Sequence, residues 1–274
     1  MYIGGVGSAG LHHLVWEVLD NSIDEAMNGH AGNIRVTLHK DGSSITVEDD
    51  GRGIPVDVHP KTKKSALEVI FTVLHAGGKF EAGNYKTAGG LHGVGASVVN
   101  ALSRDLVATV KRDGHQYEMS FKQGKPQGGI KKVGPARGTG TTVFFKPDPQ
   151  IFPKVEFEAQ IIRERLEIAS YLHRGVKVTF EDETTGQKDV YQHEEGLVDY
   201  LRKIVKDRNV KPVHEAPFTL EKESGVKLEL VLQWTESTDE NLRSYVNGIP
   251  TGSGGCTAQR RRRRQPAARP RILR

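Results

Sequence analysis

The chain has 274 residues, a net charge of +5 and a single cysteine, Cys256. One cysteine excludes an internal disulfide and is typical of a reducing compartment, so we expect a cytoplasmic protein. No apolar run reaches the roughly 18 to 20 residues that cross a bilayer, and the first residues lack the basic stretch of a secretory signal. These properties predict one or two globular domains and no membrane partner.

The positive charge is concentrated at the end of the sequence. Residues 256–274 contain eight arginines and no acid, and removing those eight charges from +5 leaves −3 for residues 1–255. The globular part therefore lacks the basic excess of a nucleic-acid surface. The tail is rich in Arg, Pro and Ala without an amphipathic period, which predicts a disordered or non-native segment; a nucleic-acid arm is the alternative.

Hydrophobic periodicity and turn residues predict helices mixed with antiparallel hairpins. In the first half they predict a helix at 11–28 that stops at Asn28-Gly29, strands around 34–38 and 45–47 joined at Asp41-Gly42, a capped helix from Ser65 to Gly77-Gly78, and a short helix at 96–102. In the second half they predict strands at 105–111, 115–121 and 141–146, a helix at 156–173, a hairpin at Thr185-Gly186, a helix at 196–206, and strands at 226–234 and 242–247. This pattern predicts an α+β sandwich, a mostly antiparallel sheet with helices on one face.

Glu17 and Asn21 lie four residues apart in the first predicted helix. That spacing puts them on one helix face, together with His13 and Asp24. A solvated polar face explains such a stripe equally well. The functional interpretation is that Glu17 polarises an attacking water while the Asn21 amide oxygen binds Mg²⁺, a cation that needs only one or two protein ligands.

Asp49 stands where a predicted strand meets the turn Asp50-Gly51-Arg52-Gly53. Asp and Gly are ordinary turn residues, so the turn alone is weak evidence for a binding site. As a site, a carboxylate at the strand end accepts a hydrogen bond from the exocyclic amine of adenine, while the glycines let the base approach the backbone. Such a polar contact can reject the wrong base by up to about 10⁴-fold.

The glycine-rich segment 89–95 precedes a predicted helix. Backbone N–H groups at a helix start bind anions, and Lys79 and Lys86 upstream could neutralise phosphate charge. A flexible loop is the alternative. Gly5 to Gly10 also fits a dinucleotide fingerprint, but no strand precedes it, and the chain contains neither a P-loop nor protein-kinase motifs.

These segments resemble the GHKL (Bergerat-fold) ATPases. The longer strings Leu11 to Asn21, Asp50 to Pro55, Leu74 to Phe80 and Gly89 to Gly95 are similar to the B subunits of type II topoisomerases, DNA gyrase in particular. The resemblance covers about residues 1–255. It implies a sheet of eight strands backed by helices and then a transducer domain, and it implies ATP hydrolysis that drives negative supercoiling of DNA.

Site roles follow from the resemblance. It implies that Glu17 is the general base, that Asn21 binds the metal, that Asp49 contacts adenine beside Thr141, and that Arg52 and Arg112 form the rim where aminocoumarin inhibitors bind. The remaining nucleotide contacts it implies are Gly53, Lys79, Gly90, Leu91, His92, Gly93, Val94 and Gly95. The implied cofactors are ATP and Mg²⁺, and the implied partners are DNA, the gyrase A protein and a second copy of the B protein.

The resemblance also gives domain bounds and leaves alternatives. It implies an ATPase domain at 1–196, an incomplete transducer domain at 197–255 and the tail at 256–274. The family's N-terminal arm and the transducer lysine lie outside these 274 residues, so we expect weak dimerisation and slow turnover. The B protein of topoisomerase IV, or a MutL-like repair clamp or chaperone with the same fold, is the alternative.

Overall fold

The computed structural model describes residues 4–58, 63–74 and 94–251. Its helices are α1 (Ser8–Met27), α2 (Ala66–Thr72), α3 (Gly95–Ala101), α4 (Ala159–Leu172) and α5 (Leu197–Asp207). Its strands are β1 (Asn33–Leu38), β2 (Ile45–Asp49), β3 (Ser103–Arg112), β4 (His115–Lys122), β5 (Lys125–Pro126), β6 (Lys131–Pro135), β7 (Gly140–Pro147), β8 (Lys177–Asp182), β9 (Gln187–Tyr191), β10 (Phe218–Ser224), β11 (Val226–Leu232), β12 (Tyr245–Val246) and β13 (Ile249–Pro250).

The first nine strands form one sheet in the order β5-β4-β3-β7-β2-β1-β8-β9, with β6 also paired to β4. Among the described strands of this sheet, β1 and β8 are the one parallel pair, and the other pairs are antiparallel. The predicted α+β sandwich with a mostly antiparallel sheet is thereby confirmed. The antiparallel hairpin of β1 and β2 also argues against a dinucleotide βαβ unit after Gly10.

One apolar stripe attaches α1 to the sheet. Its buried residues recur at helical spacing, and burial of each side chain stabilises the folded state by about 1.5–3 kcal/mol. They are Leu11, Leu14, Val15, Val18, Leu19 and Ile23. Since that stripe faces the core, the neighbouring polar stripe of α1 lies along the rim of the sheet.

Several predicted helix bounds were wrong, and hydrogen bonds explain why. Helix α1 begins three residues early, since Leu11 N–H already donates to the Gly7 carbonyl at 3.0 Å. Helix α2 stops at Thr72 rather than Gly77-Gly78, because the Phe71 carbonyl accepts from Asn100 Nδ2 of α3 at 2.9 Å and Val73 is extended. Helix α4 starts at Ala159 because the Glu158 N–H donates to His12 Nε2 at 2.9 Å.

Beyond residue 196, α5 is followed by two small two-stranded sheets, β10-β11 and β12-β13. Strand β10 was not predicted because all seven of its residues are exposed, so its sequence lacks the apolar–polar alternation of a half-buried strand. The predicted strand at 242–247 is only two residues long before it turns back. The division at 196/197 stays a prediction. Within the described ranges, no helix is long and apolar enough to cross a membrane.

Candidate functional site

The polar stripe of α1 carries a paired carboxylate, Glu17. His13, one turn earlier, places Nε2 3.1 Å from Glu17 Oε1. The hydrogen bond to Glu17 raises the pKa of His13 above its ordinary 6.5, against a smaller opposing effect of burial. Because the Glu17 side chain is still 30% exposed, its second oxygen can reach a molecule bound at this face.

Asn21 lies one turn further along α1. Its Nδ2 donates to the Glu17 carbonyl at 2.9 Å, so the amide oxygen is the atom of this side chain that suits a hard cation. No cluster of three or more His, Cys, Asp or Glu side chains that could hold a metal occurs in the described ranges. A single amide oxygen therefore fits Mg²⁺ bound mainly by phosphates and water, and does not fit a closed structural metal centre.

Asp49, the last residue of β2, is a buried acid at the end of its strand. Its side chain is 8% exposed; Oδ2 accepts from Ser22 Oγ at 2.7 Å and Oδ1 accepts from the Gly51 N–H at 3.0 Å. Burial raises the pKa of Asp49 above its ordinary 3.8, while the Ser22 and Gly51 hydrogen bonds oppose that rise. A desolvated carboxylate held by two donors is a rigid acceptor for a further N–H group.

Two glycines let the backbone pack closely around Asp49. Gly53 has φ +76°, and a Cβ there would come within 2.7 Å of the Lys111 carbonyl. Gly140 has φ +151°, and a Cβ there would overlap the Asp49 carbonyl. Only glycine avoids both the strain and the overlap. The turn after β2 is thereby held against the ends of β3 and β7.

Thr141 of β7 is the cross-strand partner of Asp49. Its Oγ1 accepts from the Ile54 N–H at 3.3 Å, which connects the strand to the turn after β2. The structure thus brings together Asp49, Gly53 and Thr141, which are up to 92 positions apart in the chain, at one end of the central strands.

Two arginines border this end of the sheet. Arg52 forms a two-pronged pair with Glu25, with Nη2 2.7 Å from Oε1 and Nε 3.1 Å from Oε2. Arg112 Nη1 donates to the Gly53 carbonyl at 2.7 Å. The side chains of Arg52 and Arg112 remain 39% and 30% exposed, so each guanidinium keeps a surface open at the rim.

Gly95 opens α3 directly against Glu17. A Cβ at Gly95 would collide with Glu17 Oε2, so the start of this helix and the carboxylate share one small space. Val94, the residue before it, is 8% exposed. The predicted phosphate contacts Lys79, Gly90, Leu91, His92 and Gly93, and Lys86, which could neutralise phosphate charge, lie outside the described residues.

The structure adds to the site three side chains to which the sequence analysis gave no role: His13, Ser22 and Glu25. His13 orients Glu17, Ser22 binds Asp49, and Glu25 binds Arg52. All lie on α1 within one turn of Glu17 or Asn21. For His13 and Glu25 the signal that could have found them is their spacing of four residues from Glu17 and Asn21, because residues four apart on a helix are neighbours. Ser22 directly follows Asn21 and lies on a different face of α1, so this spacing does not mark it.

Comparison with known proteins identifies the ATPase family to which this chain is similar. The model of the histidine kinase-, DNA gyrase B-, and HSP90-like ATPases matches residues 7–151, which hold every described site residue. The model of DNA gyrase B matches residues 196–263. The second matched region begins one residue before α5, and residues 152–195 lie between the two matches.

Similar full-length proteins and one solved structure agree with the family models. The DNA gyrase B protein of Thermotoga maritima is 48% identical over 263 residues, 93% of this chain and 41% of that protein. The DNA gyrase B protein of Archaeoglobus fulgidus is 47% identical over 259 residues, 93% of this chain and 40% of that protein. The 43K ATPase domain of Thermus thermophilus gyrase B, crystallised with an aminocoumarin, is 40% identical with a TM-score of 0.81, covering 91% of this chain and 64% of that one.

The chain therefore spans about two fifths of the length of these curated relatives. The part it spans includes both the sheet with α1 and the region after residue 196. The chain belongs to the histidine kinase-, DNA gyrase B- and HSP90-like ATPases, and within that family it is similar to the N-terminal two fifths of DNA gyrase B proteins.

Proposed function

We propose that this chain binds ATP against the polar stripe of α1 and the ends of β2 and β7, and that it hydrolyses the terminal phosphate there. The observation that carries the proposal is the buried Asp49 carboxylate, held by Ser22 and Gly51, on the same rim as the His13–Glu17 pair. One carboxylate suits recognition of a base and the other suits proton transfer.

Asp49 is the proposed selector for adenine. Its acceptor oxygens lie at the strand end, where an exocyclic amine can donate to them. Guanine carries a carbonyl oxygen at that position and would place an oxygen against a buried anion. Thr141 and Gly53 form the adjoining surface, and Arg52 and Arg112 form its outer rim. An aminocoumarin is bound by the Thermus thermophilus relative, and we propose that inhibitors of this class also bind at that rim.

Glu17 is the proposed general base. Its carboxylate would take a proton from the water that attacks the γ-phosphorus, and the phosphoryl group would leave ADP in line. His13 donates to the other carboxylate oxygen and fixes its direction. With its raised pKa, His13 carries positive charge over a wider pH range beside the Glu17 side chain.

Asn21 is the proposed protein ligand of Mg²⁺. The ion would neutralise phosphate charge when bound. The chain's contribution is to hold the Asn21 amide one turn from Glu17, so that the phosphates and the base are aligned. The backbone at Gly90–Gly95 and Lys79 are proposed to contact the phosphates, on the sequence pattern.

In the whole protein, we propose that ATP turnover drives negative supercoiling of DNA together with the gyrase A protein. A homodimer of the B protein would form when ATP binds. These partners rest on the similarity to DNA gyrase B proteins, of which this chain covers about two fifths.

The experiment that tests nucleotide recognition is calorimetric titration of the chain with non-hydrolysable ATP and GTP analogues, each with Mg²⁺. We expect binding of the adenine analogue alone, and loss of at least about 100-fold in affinity for Asp49→Asn. Thr142→Ser, on the neighbouring β7 position, is the matched control that should bind normally. Equal binding of both analogues, or normal binding by Asp49→Asn, would contradict the role of Asp49.

A further inference from the structure

Arg165 of α4 contacts the helix that carries the catalytic carboxylate. Its Nη2 lies 3.5 Å from Asp20 Oδ1, and its guanidinium carbon lies 6.0 Å from the centre of the Trp16 ring. The side chains of Arg165 and Asp20 are only 16% and 23% exposed, so water screens this ion pair weakly. Asp20 and Trp16 are the residues directly before Asn21 and Glu17.

The same guanidinium also reaches the region after residue 196. Its Nη1 donates to the Gly248 carbonyl at 3.4 Å, in the turn between β12 and β13. Asn247 and Gly248 have φ of 49° and 80°, as in the tight hairpin turn that Asn-Gly favours. A Cβ at Gly248 would come within 3.0 Å of His173 Nε2, at the end of α4, so the turn packs closely on that helix.

We propose that Arg165 is a positioning residue that couples the Glu17–Asn21 face of α1 to the Gly248 turn. The inference rests on the proposed function, since α1 matters only if it carries the base and the metal ligand. A displacement of the turn would pull on Arg165 and move Asp20, and a nucleotide that orders α1 would order the turn. Such coupling is reciprocal by thermodynamic necessity.

The charges of Arg165 and Asp20 also act on the His13–Glu17 pair. Asp20 raises the pKa of His13 and Arg165 lowers it, so both charges act on the histidine that holds Glu17. Of the guanidinium nitrogens, Nε is buried and has no hydrogen-bond partner among the described residues. The guanidinium is therefore held by its contacts with Asp20, Gly248 and the Trp16 ring, and loss of the Asp20 or Gly248 contact would weaken the link between α1 and the turn.

Arg163 offers a matched control two positions away on α4. It pairs with Asp189 of β9 at 2.8 Å and lies 5.5 Å from the centre of the Phe180 ring, in contact with the sheet. Arg163→Gln removes the same charge from the same helix without touching α1 or the Gly248 turn. Arg165→Lys is a second variant, since it keeps the charge but cannot bind both partners in the same way.

The test is hydrogen–deuterium exchange of the full chain, read at residues 13–24 and 245–251. Without nucleotide, we expect Arg165→Gln to speed exchange in both segments by about tenfold and Arg163→Gln to leave them unchanged. If Arg165→Gln does not fold, Arg165→Lys should show the same pattern to a smaller degree. Unchanged exchange in an Arg165 variant, or an equal effect of Arg163→Gln, overturns the proposal.

A second arm adds the non-hydrolysable ATP analogue and Mg²⁺. In the unsubstituted chain and in Arg163→Gln, binding should slow exchange at 245–251; in Arg165→Gln that response should be lost although calorimetry still detects binding. A retained response in Arg165→Gln overturns the coupling. Failure of the unsubstituted chain to bind the analogue counts against the proposed function, and the nucleotide-free comparison then decides the Arg165 contact separately.

Discussion

Glu17 and Asp49 are carboxylates of one site with different surroundings. Glu17 is partly exposed and bonded to a histidine, whereas Asp49 is buried and bonded to a hydroxyl and a backbone N–H. A partly exposed base can exchange its proton with water, and a buried acceptor keeps a fixed direction. The two environments suit the two proposed tasks.

Glu17→Gln should separate binding from chemistry. The amide is nearly isosteric and can still accept from His13, so affinity for the ATP analogue should stay within a few-fold. Turnover should fall by about 10² to 10⁴-fold, since the amide cannot take the proton of water. The measurement is phosphate release under single-turnover conditions. A variant that keeps full turnover would remove Glu17 from the mechanism.

The His13–Glu17 pair should make stability depend on pH. Because the pKa of His13 is raised in the folded chain, the folded state binds the proton more tightly than the unfolded state. The contribution of the pair to folding stability is thus complete below pH 6.5, and it is lost as the pH rises through the raised pKa of His13. Urea unfolding of the chain and of His13→Gln from pH 6 to 9 measures it. The difference between the two should shrink with rising pH; a constant difference would contradict the pairing.

At the level of elements, the site depends on three antiparallel strands that end together. Strand β7 lies between β3 and β2, so Thr141 is opposite Asp49 on one side and Val110 on the other. The turn after β2 folds back over these ends, where Gly53 and Gly140 permit close contact. The position of Asp49, the proposed adenine selector, is therefore set by backbone packing.

Gly140→Ala should destabilise this junction strongly. The added methyl would overlap the Asp49 carbonyl at a φ of +151°, and strain plus overpacking should cost about 2–5 kcal/mol. Gly138→Ala is the matched control, because Gly138 also has positive φ but open space around it. That control should cost only about 1–2 kcal/mol. Urea unfolding measures both, and equal costs would show that the overlap is relieved.

At the level of the whole molecule, a ring cluster joins the sheet unit to the region after residue 196. Tyr171 of α4 stacks on His193 at 3.7 Å and on Tyr200 of α5 at 5.1 Å. The Tyr200 hydroxyl lies 3.1 Å from that of Tyr245, and Arg243 lies over its ring at 5.4 Å. Tyr200 is 5% exposed, so this junction is packed like a core.

Tyr200→Ala should loosen the two regions from one another. Loss of the buried ring should cost about 3–5 kcal/mol and split thermal unfolding into two transitions. Tyr200→Phe keeps the stacking and loses the hydroxyl contacts, so it should cost about 1 kcal/mol and leave one transition. Calorimetric scanning of both variants checks this. A single transition in Tyr200→Ala would mean that other contacts hold the junction.

Local sequence patterns were sufficient to predict much of the secondary structure of this protein and the kind of site it contains. Periodicity predicted α1 and its polar stripe, and the Asp-Gly turn predicted the β1–β2 hairpin. Three short segments, at 17–21, 49–53 and 89–95, indicated a nucleotide site. These features depend on residues within one or two turns of each other, so the sequence contains them directly. The bounds of α2 and α4 were wrong because their ends are set by contacts with α3 and α1, from distant parts of the chain.

What required the folded structure is the set of partners. Ser22 against Asp49, Glu25 against Arg52, Gly95 against Glu17 and Arg165 between Asp20 and Gly248 all join segments far apart in sequence. The helical and strand periods indicate which face of its own element a residue occupies. They carry no information on which distant element that face meets. Those meetings follow from the order of strands in the sheet and from close packing of the core, and these in turn position the groups that we propose bind and hydrolyse ATP.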